Sequence, residues 1–169
     1  MYIIWSLINA AFVIFFFALV LSLFTKGKKL FNNKYGNPII IVLVLGVLGI
    51  INAKDKELDN TYVLNGTVTQ SDVTKEINTK LEENLSLTFH LSVRFTKDAK
   101  GEFVPVSSQS RLDGFISGFQ WEYKNIVINK NTDGSFSYEA YGLLHWGLLG
   151  IELYTQNKDF EGTFQLEEY

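Results

Sequence analysis

The chain has 169 residues, 47% of them hydrophobic, and no cysteine, which excludes disulfides, thiolate catalysis and Cys-based metal sites. All 18 acids follow Lys54, against ten Lys and Arg in the same stretch, whereas residues 1–53 carry only Lys26, Lys28, Lys29 and Lys34. An acidic C-terminal part excludes a general nucleic-acid binder, whose footprint is basic.

Met1 to Thr25 has no charged side chain, and Tyr2 to Phe24 is apolar apart from Ser6, Asn9 and Ser22. At about 1.5 Å per residue, such a run crosses a hydrocarbon core of roughly 30 Å. It lacks the charged start and small-residue cleavage site of a signal peptide, so a retained transmembrane helix is expected over 2–24. A second apolar run, Pro38 to Ala53, follows the basic loop 25–35 and predicts a second span over 36–53. Tyr2 and Trp5 suit an interfacial belt. Ser6 and Ala10 on the first span, and Gly46 and Gly49 on the second, are small enough to form the helix–helix contact. Asn9 either hydrogen-bonds there or lies near enough to the interface to be solvated. The lysines of the loop outnumber Lys54 and Lys56 after the second run and orient the loop to the cytoplasm. The expected protein is a multi-pass component of the cytoplasmic (inner) membrane, with the domain 54–169 outside. Its partners are the lipid bilayer and either further copies of itself or other subunits of a membrane complex.

The remaining chain is β-rich. Thr61 to Thr69 is β-prone, with a turn at Asn65-Gly66. Val73, Ile77 and Leu81 recur every four residues and predict a short amphipathic helix over Ser71–Asn84. Leu85 to Thr96 alternates strictly and predicts a strand with one buried face. Lys97 to Gly101 reads as a hairpin loop. Glu102 to Ser108 reads as a returning strand, edge or bulged at Pro105. Ser107 to Gly114 is polar and reads as a loop. Phe115 to Ile128 predicts a long strand whose apolar parity changes after Tyr123. Asn131-Thr132-Asp133-Gly134 predicts a tight turn, and Phe136 to Ala140 the next strand. Leu143 to Thr155 is one bent strand or two short ones. Gln156 to Asp159 reads as a turn before a terminal strand from Phe160. The expected fold class is a membrane-anchored all-β protein: two helices, then a small antiparallel barrel or sandwich of six to eight strands with one short helix.

Little in this chain specifies chemistry. His90 and His145 have no partners at metal-ligand spacing, and no phosphate loop, zincin motif or nucleophile elbow occurs. No cofactor, metal or catalytic group is expected. Arg94 and Arg111 are the only arginines, and Arg suits bidentate contacts to phosphate or carboxylate. With His90 on the same strand parity as Arg94, they are the first choices for an anionic ligand. The aromatic run containing Trp121 forms either a ligand wall or core. These residues describe a non-enzymatic, membrane-anchored module that binds a ligand or partner, in an envelope complex or as an immunity-type protein.

Two N-terminal helices before a β-rich domain resemble the two-transmembrane β-barrel effectors of the CBASS anti-phage systems. Leu149-Gly150, Tyr154-Thr155 and Gly162-Thr163 are similar to that family's closing Gly, Tyr and Gly pattern. The family's aromatic after the barrel's first glycine is replaced here by Thr67-Val68 after Gly66, and the basic residue expected after the tyrosine is at best Lys158. The resemblance implies a barrel that binds a cyclic nucleotide, oligomerises and disrupts the membrane. It also implies a cytoplasmic domain, opposite to the side the loop lysines favour.

Overall fold

The computed structural model of the protein describes residues 1–26, 36–52, 58–64 and 75–166. The chain divides into two compact units. The first holds Met1–Glu57 with Ser117–Phe119 and Trp146–Tyr154; the second holds Leu58–Ile116, Gln120–His145 and Thr155–Tyr169.

In the first unit, α1 runs from Tyr2 to Lys26 without Gly or Pro to interrupt it. α2 runs from Gly36 to Asn52, with Pro38 in the first turn, where no intrahelical N–H is needed. Among the described residues, Tyr2–Ser22 is the one stretch of helix long and apolar enough to cross a membrane. With 17 residues, α2 is about 25 Å long, short of a full span, so the expected second segment is present as a helix but below spanning length. The helices meet where the buried Phe16 ring lies over Gly46; any side chain at Gly46 would overlap that ring. Ser6 and Asn9 are buried and Ala10 is half-buried. The Asn9 amide donates to the Trp5 carbonyl at 3.3 Å and lies against Gly118. Gly49 lies in α2, but its expected contact falls outside what is described there, and the loop over 27–35 lies outside the described residues.

The second unit is built on antiparallel strands. β1 (Thr61–Val63), β2 (Lys75–Glu83), β3 (Leu87–Lys97) and β4 (Phe103–Gly114) form one sheet in the order β1-β4-β3-β2. β5 (Phe119–Lys130), β6 (Phe136–Leu148) and β7 (Ile151–Phe164) form the other. The expected alternation on β3 holds from Leu87, with Phe89, Leu91, Val93 and Phe95 also buried; Leu85 is outside the strand and exposed. Phe89 packs on Trp121 and Phe160, and Phe95 on Phe136 and Phe164, so the two sheets share one core. Each such ring contributes roughly 2–3 kcal/mol by leaving water.

Polar bridges tie the two sheets together. Beside β1, Asn60 accepts from the Tyr123 N–H at 2.8 Å and donates to the Trp121 carbonyl at 3.0 Å, while its own carbonyl accepts from the Ser110 N–H. A bulge at Leu81 sets Glu82 opposite Phe89, and Lys158 of β7 reaches Glu82 at 2.6 Å. The Lys158 ammonium also lies 5.4 Å from the Phe89 ring centre.

Three expectations fail. Residues 75–83 are strand, not helix; 71–74 lie outside the described residues. A spacing of four satisfies both periods, and with Thr79 included the inward set Ile77, Thr79, Leu81 is strictly alternate. Pairing with β3 then satisfies a backbone edge that a helix would leave open. Ser107 to Gly114 is not a loop but the second half of β4. Ser108 and Ser110 are buried there because Tyr123 Oη, the His90 carbonyl and the Trp121 indole satisfy their hydroxyls. Gln156 to Asp159 is not a turn; it lies inside β7, and the reversal occurs at Leu149-Gly150, both at positive φ. The Asn131–Gly134 turn and the change of buried parity between Tyr123 and Ile126 are as expected. β4 is an inner strand, so the bulged alternative holds at Pro105: the register shifts opposite Arg94/Phe95, and β1 pairs only with 107–109.

Candidate functional site

The outward side chains of β2, β3 and β4 form rows across the sheet. Glu76, Arg94 and Ser107 make one; Asn78, Ser92 and Gln109 the next; Lys80, His90 and Arg111 the third. They arise because one face of β3 is committed to the core, which forces His90, Ser92 and Arg94 to the other. A groove of about 390 Å³, within the range of small-molecule sites, is lined by residues of all three rows, including Glu76, Asn78, Ser92 and Gln109.

The cations of this face are tethered rather than quenched. Arg94 Nε meets Glu76 at 3.2 Å. Asp113, on the next row, takes both Arg111 at 3.2 Å and His90 at 3.3 Å. Lys80 pairs with Glu83 at 2.9 Å. Ser92 donates to Glu76 at 2.7 Å and also contacts the Asn78 amide oxygen. The Ser92 hydroxyl first, and the Arg94 guanidinium second, hold the Glu76 carboxyl below its ordinary range. The row of Lys80, His90 and Arg111 sets two permanent cations on either side of an imidazole, each held by a carboxylate for which a bound anion would compete.

No protein family matches the chain, and neither any curated protein nor any solved structure does. What the site can do therefore rests on its own geometry.

His90, Arg94 and Arg111 share the outward face by register; His90 and Arg111 line the groove, and Arg94 lies on the row of Glu76 and Ser107 without lining it. Trp121 does not join them: it is buried, with its indole donating to Ser110 at 3.0 Å and its ring edge-on to Phe89. Lys80, Asn78 and Gln109 were missed in the sequence. The sequence pattern places the first two on a helix and Gln109 in a loop; only the strand parity of 75–83 and of 107–114 aligns them with the outward face of β3. His145 lies elsewhere, tied at both ring nitrogens: Nε2 is 3.1 Å from Glu122 and Nδ1 is 3.2 Å from Thr155. Glu122 is held below the usual carboxylate range by its hydrogen bond from Lys124 first and His145 second. This is the environment of a hydrogen-bonded structural histidine. Among the described residues, no group of three or more His, Asp or Glu is placed to hold a metal ion.

Proposed function

We propose that the protein is a membrane-anchored, non-enzymatic binding module that receives an anionic ligand or partner group on the β2–β3–β4 face. The observation that carries this reading is the cross-strand row of Lys80, His90 and Arg111 beside a polar groove. Two crossings of the cytoplasmic membrane, with the β-rich part outside, complete the reading. The apolar α1 supports it, and so do the contacts of its first turns. Trp5 donates to the Gly118 carbonyl at 3.3 Å, and Tyr2 packs on Trp146 with ring centres 5.3 Å apart. On this reading, segments late in the chain share a side of the bilayer with residue 2, so a chain that crosses once must return; α2 is the apolar helix available for it, with the bilayer thinned locally to match its length of about 25 Å.

A cyclic-nucleotide effector of the CBASS type is the second reading. It is favoured by the same face, since phosphates are the anions that paired Arg groups hold best. Calorimetry of the full chain in lipid nanodiscs separates the two, using an acidic peptide and a panel of cyclic di- and trinucleotides. Binding of any of these anions should weaken about 10- to 100-fold in Arg111→Ala, the value of one charge-assisted hydrogen bond. Heat with a cyclic nucleotide alone selects the second reading. Binding that is unchanged in both Arg111→Ala and Lys80→Ala removes this face from either.

A further inference from the structure

We propose that the β6–β7 hairpin, from Trp146 to Tyr154, is itself embedded in the lipid interface beside the start of α1, as a second contact with the bilayer. This inference rests on the membrane reading of α1. The hairpin and α1 belong to one compact unit. Trp146 lies under Tyr2 at 5.3 Å and Trp5 at 5.8 Å between ring centres, and Tyr154 continues the cluster at 6.3 Å from Trp146. Trp and Tyr gathered at one end of an apolar helix form the belt that residues at headgroup depth adopt.

The turn chemistry points the same way. Leu149 and Gly150 have φ of 51° and 79°, so two successive residues are left-handed. In water that turn favours Asn or Asp before Gly, because a short polar side chain tolerates the conformation and hydrogen-bonds its own backbone. The turns at Asp98–Gly101 and Asn131–Gly134 give the positive φ to glycine alone, and the Asp98 and Asp133 carboxylates accept from backbone N–H groups beside them. Here a leucine occupies the strained position, and the nine residues from Trp146 to Tyr154 include one charge, Glu152. Leu153 and Tyr154 are 57% and 61% exposed, and Ile4 and Leu7 at the start of α1 are equally open. The rings of Tyr2, Trp5, Trp146 and Tyr154 join the exposed apolar side chains of the helix start to those of the hairpin. Continuity with a spanning helix identifies the bilayer as its occupant.

The native chain has no cysteine, so a single introduced one is a unique site for a nitroxide label. Full-length Leu153→Cys, Phe17→Cys and Thr132→Cys are each labelled and reconstituted into phosphatidylcholine vesicles. Collision of the label with oxygen, which concentrates in lipid, is compared with collision with a neutral nickel chelate, which stays in water. The expected result is an oxygen-to-nickel ratio at Leu153→Cys several-fold above that at Thr132→Cys and approaching that at Phe17→Cys. A lipid-like Phe17→Cys with a water-like Leu153→Cys overturns the hairpin contact alone. A water-like Phe17→Cys overturns the membrane reading with it. Low access to both reagents at Leu153→Cys means that protein, such as a second copy, covers the hairpin, and this also overturns the proposal.

Discussion

Tyr123 shows how one buried hydroxyl ties stability to pH. It sits in the core with its hydroxyl 2.7 Å from Ser108, and burial pushes its pKa up to about 12 against the partial opposition of that hydrogen bond. The folded state therefore keeps a proton that the unfolded chain releases from about pH 10. The stabilisation is complete below pH 10 and is lost as pH rises toward 12, by about 2–3 kcal/mol. Burial raises the pKa of Tyr138 in the same direction. Denaturant unfolding of the full chain in detergent at pH 9 to 12 should show this loss, and Tyr123→Phe should flatten much of it. An equal slope in the two proteins would mean that other groups carry it. Asp113 makes the opposite case, since its value is as a competitor. It occupies both His90 and Arg111, so Asp113→Asn frees two donors and should raise the affinity for an anion several-fold, with steeper salt dependence. Weaker binding in that variant would show that Asp113 orients the cations rather than screening them.

At the scale of elements, the position of a strand in its sheet decides what its residues do. β2 lies last in the order β1-β4-β3-β2, and its bulge at Leu81 turns Glu82 from the wet face toward Lys158. β1 is only three residues long, yet Asn60 just ahead of it extends the pairing across to β5. Asn60→Ala would leave the Tyr123 N–H and the Trp121 carbonyl without their partner, at a cost of about 1–3 kcal/mol, measured as a lower denaturant midpoint with unchanged slope. A change below about 0.5 kcal/mol would mean that water replaces both bonds. The same elements show where pattern reading works. β3 was legible because six alternations leave no helical alternative. β2 was not, because Val73, Ile77 and Leu81 fit both periods and nothing local decides between them. The second half of β4 was hidden by its serines, whose burial depends on acceptors and donors from β3 and β5.

For the whole molecule, the proposed pair of membrane crossings is tested by the side of the bilayer on which each terminus lies. Reporters fused before Met1 and after Tyr169 should report the same side, because Trp5 and Tyr2 touch segments that lie more than a hundred residues later in the chain. Opposite sides would exclude a paired crossing by α1 and α2. The apolar helix α1, the all-β character, the tight turn at Asn131–Gly134 and the polarity of the His90–Arg94 face can be read locally. Each follows from chain length, residue period or a short turn motif. The row of Lys80, His90 and Arg111 and the burial of Trp121 cannot. Each depends on which distant strand supplies the neighbour, and register between strands far apart in sequence is settled only when the two sheets close on a common core.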